Sequence, residues 1–323
     1  MAWTRSFDTR SYPTDSRRQT QEGRLKKADS RRYEMAVVEK VTPAMLDDVI
    51  PLLSDLDDAH SREEWREIFD YKWESDEGYV GYALVDDRKV VGFNGAIFSR
   101  RIIDGRETRF CNLTSWIVKE QYRTESMRLV FPVLKLKGYT ITNLTMNERA
   151  WEITRRLGFK NLDTTVRIIF PIPGLSATKK EEAPVIVSDQ SRIAAILDPV
   201  NLKIFIDHSQ YNCGHLVIQD KYGYSYIIYT RKRYRKYNCG ISYAQIHYIS
   251  DRSLFLRHLN KIKSYFLKSR KYFFLAVDER LIGNATIPYS KVYQLKVPRM
   301  YKSEVLSCEQ VDNLYSELVV LGL

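Results

Sequence analysis

The sequence predicts a mixed α/β (α+β) protein of two tandem domains, each a mixed, mostly antiparallel sheet flanked by helices. Three observations carry this prediction. Short apolar or aromatic runs bounded by turn residues alternate with segments whose apolar residues recur at helical spacing. Two turns, Asp86-Asp87-Arg88 and Asp104-Gly105, join neighbouring runs as hairpins, which makes the strands antiparallel. The order hairpin, strand, helix, strand also occurs twice, with no residue-level repeat behind it. A chain of 323 residues accommodates two domains, and 44% hydrophobic residues with 22 Tyr and 13 Phe supply their cores.

Residues 1–34 carry Arg17-Arg18, Lys26-Lys27 and Arg31-Arg32 with little that is apolar, and read as a disordered basic tail. They hold no apolar h-region of a secretory signal. Asp8, Asp15, Glu22, Asp29 and Glu34 speak against an organelle transit peptide. The first domain is expected over 35–172. It opens with a strand at 36–41, then a helix capped by Thr42 with Pro43 in its first turn and an apolar stripe of Met45, Val49, Leu52 and Leu53. Ser61 and Glu64 form a capping box for a second helix, striped by Trp65, Phe69 and Trp73. Strands follow at 79–85, 90–98 and 109–118. A helix then runs through Val130 and Leu136, either kinked by Pro132 or starting near it. A strand at 140–144, a helix at 148–157 stopped by Gly158, and a strand at 166–170 complete the domain.

Residues 173–184, with Pro173, Gly174, Lys179-Lys180-Glu181-Glu182 and Pro184, read as a linker. The second domain, 185–323, is expected to hold strands at 216–218, 224–229 and 242–249. A helix capped by Asp251 and striped by Phe255, Leu259, Ile262 and Phe266 comes next, then strands at 272–277 and 281–287.

The formal net charge of +11 attracts phosphates of any kind: nucleic acid, an anionic membrane face or a phosphorylated coenzyme. Cys111, Cys213, Cys239 and Cys308 form no CxxC pair and match no zinc spacing, and no HExxH occurs. No metal site is expected, and reduced, packed cysteines fit a cytoplasmic protein. No run approaches the ~20 apolar residues of a membrane-spanning helix.

The chemistry concentrates between Phe93 and Thr164. The third strand leads into the run Val118-Lys119-Glu120-Gln121-Tyr122-Arg123-Thr124-Glu125-Ser126-Met127-Arg128. The next strand leads into Asn147-Glu148-Arg149-Ala150, on a helix that ends in Leu157-Gly158-Phe159. This stretch resembles the Gcn5-related N-acetyltransferase (GNAT) superfamily, whose central strand runs into a (Gln/Arg)-x-x-Gly-x-(Gly/Ala) loop and a helix. The resemblance covers residues 36–170, roughly 40% of the chain. It implies an acetyltransferase-type fold with acetyl-CoA or another acyl-CoA as co-substrate. Peptide N–H groups at a helix start, aided by the helix dipole, bind a pyrophosphate. By resemblance Arg123, Thr124, Ser126, Met127 and Arg128 form that loop. Ile117 and Val118 would hold the pantetheine arm through their backbone, and Asn147 would hold it from the other side.

The chain departs from the family at several points. Ser126 and Arg128 stand where small residues, usually Gly, are found, so that Arg128 either crowds the phosphates or holds them. Asn147 also suits a helix N-cap. Thr154 stands where many members carry the Tyr that protonates the leaving thiolate. The base that takes the acceptor's proton is then sought in Ser115 or Glu120 near the strand end, each of which also reads as plain surface polarity. Ile249-Ser250-Asp251-Arg252-Ser253 in the second domain offers no Gly-rich loop, so that domain is expected to bind no coenzyme and to complete the substrate cleft or mediate a homodimer.

Two functions follow. One is an acyl-CoA-dependent N- or O-acyltransferase with an unidentified acceptor, bulky or anionic, such as a sugar nucleotide or glycan. The other is a non-catalytic GNAT-fold module that recognises nucleic acid or an anionic membrane through its basic face. That face would use Arg231-Lys232-Arg233-Tyr234-Arg235-Lys236-Tyr237 and Lys261, Lys263, Lys268, Arg270 and Lys271, residues that a solvated hairpin end would also explain.

Overall fold

In the computed structural model the described residues are 35–57, 59–172, 184–236 and 239–323. The expected basic tail and all of the expected linker except Pro184 lie outside them.

Strand β1 (Val37–Lys40) pairs antiparallel with β2 (Gly81–Asp86), and the helices α1 (Leu46–Leu56) and α2 (Arg62–Arg66) lie between them in sequence. Helix α1 buries Leu46, Val49, Leu52 and Leu53, one stripe at helical spacing. The capping box at α2 is present: Glu64 N–H donates to Ser61 Oγ at 3.2 Å, and Ser61 N–H donates to Glu64 Oε2 at 2.7 Å. Thr42, by contrast, makes no side-chain cap; it precedes a 3-10 turn, Pro43–Met45, that leads into α1.

β2, β3 (Lys89–Ile103) and β4 (Arg106–Val118) form the expected meander. Asp87 and Arg88 have φ of 45° and 60°, and Asp104 and Gly105 have 49° and 75°. Left-handed conformations at both central positions are what a two-residue hairpin needs to follow the strand twist.

The helix expected through Val130 and Leu136 forms otherwise. A 3-10 segment, Glu120–Leu129, leads into a single turn, α3 (Phe131–Leu134). Proline 132 sits in the first turn of α3, because its ring would clash with the carbonyl of Arg128 in a continuous α-helix. Then come β5 (Tyr139–Asn143), α4 (Glu148–Arg156) and β6 (Lys160–Ile169). Gly158 follows α4 with φ of 84°, the C-terminal stop read from the sequence.

The second half holds β7 (Val185–Val187), α5 (Gln190–Ile196), α6 (Pro199–His208), β8 (Gly214–Asp220), β9 (Gly223–Lys236) and β10 (Cys239–Ile249). It continues with α7 (Arg252–Arg257), α8 (Leu259–Arg270), β11 (Leu275–Asp278), β12 (Ser290–Lys302) and α9 (Glu317–Val320). Asp251 caps α7, accepting from Leu254 N–H at 2.8 Å. The strand expected at 281–287 is instead a 3-10 turn, Glu279–Ile282, closed by Gly283 at φ 63°. Its Leu281, Ile282 and Ile287 are apolar because they pack under α7 and α8. Strand β12, with Pro298 inside it, has no clear alternation to read.

Among the described residues, twelve strands join one mostly antiparallel sheet in the order β1-β2-β3-β4-β5-β12-β6-β11-β10-β9-β8-β7. The order reads alike from both ends. β4 pairs parallel with β5, and β10 pairs parallel with β11. Each half's sixth strand, β6 or β12, pairs with the other half's fifth, and β6 and β12 pair with each other at the centre. One face of β10 and β11 is covered by α7 and α8, and the same role in the first half falls to the 3-10 segment, α3 and α4. The opposite face carries a core that draws Leu53, Phe93 and Ile97 together with Ile204, Val217 and Tyr226, sealed by Tyr315 and Val319 from the C-terminal segment.

Candidate functional site

The site begins where β4 and β5 part. Their parallel register ends at Leu113 opposite Asn143, yet β4 runs on to Val118. From Thr114 to Val118 the β5 side of β4 therefore has no strand partner among the described residues. On its other side, β4 is kinked. Phe93 pairs with Ile117 and Gly95 with Thr114, so Ser115 and Trp116 stand together opposite Asn94. This is a β-bulge, and Ser115 adopts φ of 54° there. The result is a V-shaped gap with a bent strand edge on one arm.

Ser115 is half-buried, and its Oγ lies 3.1 Å from Thr114 Oγ1. Ile117 and Val118 are half-buried on the free edge. Glu120 lies beyond the gap, 84% exposed, 3.4 Å from the Arg123 guanidinium. Ser115 thus sits at the bulge and Glu120 outside it.

The loop residues 123–128 lie within the 3-10 segment, whose i→i+3 bonds occupy backbone N–H groups along its length. Arg123 and Thr124 are exposed; Ser126 and Met127 are half-buried. The Arg128 guanidinium donates to the carbonyl oxygen of Ala36 at 2.6 Å and to Glu125 at 2.5 Å. It ties the segment to the chain before β1. Asn147 is exposed at the start of α4 and caps it, accepting from Ala150 N–H at 2.9 Å. Thr154 is buried, and its hydroxyl donates to the Ala150 carbonyl at 2.6 Å.

A second polar group closes the apex of the V, and no motif announced it. Glu317 on α9 is fully buried. Its carboxylate accepts from Asn112 Nδ2 on β4 and from Thr145 Oγ1 at 2.6 Å, just after β5. Asn112 Oδ1 in turn accepts from Thr142 on β5 at 2.9 Å. Burial pushes the Glu317 carboxyl up, and these two donors pull against it. The 205-residue separation of Asn112 and Glu317 hides this cluster from sequence reading.

The corresponding gap in the second half is filled by the chain itself. β10 and β11 pair as far as Ile246 opposite Val277, and β10 is irregular against β9 between Ile246 and Tyr248. There Asn313 N–H donates to the His247 carbonyl at 3.3 Å. Asn313 Nδ2 also donates to Asp278 at 2.5 Å, and Asn313 Oδ1 accepts from Arg280 at 2.5 Å. Asp278 and Asp163 further hold Arg280 and Arg299, so the central seam carries a buried charge network. Burial lowers Arg280 to about 9.

This architecture, a sheet whose strands part beside a bulge with helices on both faces, is the fold of the GCN5-related N-acetyltransferases. Among solved structures the chain is similar to a GCN5-related N-acetyltransferase from Anabaena variabilis, with a TM-score of 0.55 at 12% identity, covering 82% of this chain and 72% of that one. A GCN5-related N-acetyltransferase from Kribbella flavida gives 0.52 at 15% identity, covering 82% and 70%. A probable N-acyltransferase from Enterococcus faecalis gives 0.55 at 12% identity, covering 82% and 71%. At these identities the likeness is one of fold. No protein-family model and no curated protein matches the chain. No helix among the described residues is long and apolar enough to cross a membrane.

Proposed function

We propose that this chain is an acyl-coenzyme A-dependent acyltransferase, with the thioester bound in the gap between β4 and β5. The observation that carries the proposal is the free, bulged edge of β4 from Thr114 to Val118. Among the described residues, peptide groups there have no strand partner on the β5 side, and an extended pantetheine arm has amides that suit such an edge. The fit of the phosphates is different. The 3-10 segment leaves no row of open N–H groups at 123–128, and Arg128 is committed to Ala36 and Glu125. Exposed side chains, Arg123 first, would supply the charge, with Asn147 opposite.

The coenzyme would supply an activated acyl thioester. An acceptor amine or hydroxyl attacks its carbonyl, the C–S bond breaks, and the acceptor's proton ends on the departing thiol. Ser115 is the hydroxyl on the bulge and could pass that proton; Thr154 is committed to Ala150. We also read the symmetric sheet order as two tandem units, 35–172 and 185–323, joined by 173–184, with the second gap closed by Asn313. Free Cys111, Cys213 and Cys308 support a cytoplasmic setting.

Titration calorimetry with acetyl-CoA and longer acyl-CoA tests the reading. Binding that weakens about tenfold in Arg123→Glu is expected. Absence of heat with every acyl-CoA at high concentration would refute it. A second reading, a non-catalytic module, is favoured by the closed 3-10 segment and by Thr154. It requires affinity for a polyanion that falls steeply with salt, through Arg231 and Arg233 on β9.

A further inference from the structure

A cavity of about 410 Å³ lies in the second half, between α7, α8 and the segment 285–289 that leads into β12. Its volume suits a small organic molecule. Lys263 lines it from α8 and is only 3% exposed, whereas Lys261 and Lys268 on the same helix are open to solvent. The sequence grouped these lysines as one basic face; the structure takes Lys263 out of it. Among the described residues Lys263 Nζ has no hydrogen-bond or ion-pair partner. Nor is this nitrogen one of the unpartnered polar atoms sealed from solvent, so the little surface it keeps opens on the cavity. Burial pushes the Lys263 ammonium down from the ordinary lysine value. An ammonium held so far inside the protein without a partner leaves a demand for negative charge unmet.

The walls say which anion would meet it. No Asp or Glu lines the cavity, and the chain holds none from Arg252 to Val277 or from Asn284 to Ser303. Arg257, the other cation on the wall, is already balanced by Asp220 at 3.2 Å. One positive charge is left uncompensated, and it matches one negative charge, a carboxylate rather than a phosphate dianion. Thr286, exposed on the facing segment, brings a hydroxyl. Leu256, Leu259, Ala285 and Ile287 make the rest of the wall apolar, and Tyr289 stands 52% exposed beside them. An apolar surface around one unpaired charge receives an apolar body with a charged end.

We propose that this cavity binds a compact monocarboxylic acid with an apolar body. The carboxylate pairs with Lys263 Nζ and accepts from the Thr286 hydroxyl, and the apolar body lies along Leu256, Leu259 and Ala285. This inference does not rest on the acyl-transfer reading.

The test uses the full chain at neutral pH without coenzyme. Hexanoate and phenylacetate are titrated by calorimetry, with the rise in melting temperature as a second readout. Hexanamide, hexylamine and phenyl phosphate serve as controls. Both acids are expected to bind, hexanamide about tenfold more weakly, and hexylamine not at all. Phenyl phosphate should bind more weakly than phenylacetate. Lys263→Met keeps an apolar stem and removes the charge. Its melting temperature should equal or exceed that of the wild type, because an unpaired buried ammonium is gone, while acid binding falls about tenfold. Thr286→Trp, a change at an exposed position, should block the cavity while the melting temperature stays near that of the wild type. The proposal fails if neither acid binds at millimolar concentration, if hexanamide binds as tightly as hexanoate, or if phenyl phosphate binds more tightly than phenylacetate. It fails equally if Lys263→Met or Thr286→Trp leaves acid binding unchanged.

Discussion

Three histidines make this fold acid-sensitive in a way that can be calculated. His208, His215 and His247 are buried, and burial lowers His208 to about 3, His215 to about 4, and His247 well below the ordinary value. Geometry enforces the neutral form. Tyr315 N–H donates to His208 Nε2 at 3.3 Å, so the ring must donate from Nδ1 to the Ile204 carbonyl at 2.8 Å, and a proton on Nε2 would break the first bond. His215 Nδ1 lies 2.7 Å from Tyr226 Oη, and His247 Nε2 lies 2.8 Å from Thr230 Oγ1. As pH falls, the unfolded chain binds protons at these sites before the folded chain does, so stability is lost. It is fully present above about pH 6.5, declines below it, and is exhausted near the folded values. At pH 5 an unfolded histidine of ordinary pKa gains about 2 kcal/mol, so three of them cost about 6 kcal/mol between pH 8 and pH 5. That is a large share of the usual stability of a folded domain. Urea unfolding followed by circular dichroism at pH 8, 7, 6 and 5 measures it. His208→Gln should be less stable at pH 8 but lose about 2 kcal/mol less on going to pH 5. A wild-type difference below about 2 kcal/mol, or imidazole resonances of these three that titrate like free histidine, would refute the reasoning.

Further outcomes follow from single contacts. Asp278→Ala removes a fully buried carboxylate that faces Arg280, Arg299 and Asn313, and should cost about 3–5 kcal/mol in urea unfolding, because the buried Arg280 and the partly buried Arg299 lose a partner. Gly81→Ala should cost roughly 2 kcal/mol or more: φ is 149° and a Cβ would lie 2.5 Å from the Asn94 carbonyl oxygen, beside the bulge. Glu317→Ala leaves the buried Asn112 donor unpaired, while the exposed Thr145 hydroxyl can turn to water, an expected loss of roughly 1–3 kcal/mol. Glu317→Gln keeps an oxygen for Thr145 but turns an amide toward that of Asn112, and should lose about half as much. Equal melting of the two Glu317 variants would mean that the carboxylate bonds contribute nothing specific.

What could be read from the sequence was local. The turns at Asp87-Arg88 and Asp104-Gly105, the capping box at Ser61 and the stop at Gly158 each depend on a few adjacent residues, and each formed. The caps at Asn147 and Asp251 did too. The local cap read at Thr42 did not form, and the other failures came where packing overrode local pattern. Leu281, Ile282 and Ile287 are apolar because they lie under α7 and α8, which a strand reading cannot distinguish. β12 was invisible because its alternation is broken where its register against β6 shifts between Gln294 and Arg299. The Pro132 ambiguity resolved in favour of a helix start, and it left a 3-10 segment where a full helix was expected.

The same division governs the site. The parting of β4 from β5 and the placing of Ser115, Ile117 and Val118 along it follow from one strand and its neighbours, so a motif could point to them. The residues that decide what the gap can do come from elsewhere. Glu317 braces its apex, Asn313 fills its counterpart, and Tyr315 between them packs on Trp73 and His208. All three belong to one short stretch near the C-terminus that contacts both halves. A change in that stretch, such as Glu317→Ala, should therefore weaken acetyl-CoA binding at the gap, although Glu317 touches the gap only through Asn112 and Thr145. If calorimetry with acetyl-CoA finds binding unaffected by Glu317→Ala in a folded protein, the C-terminal segment is a cover and not a brace.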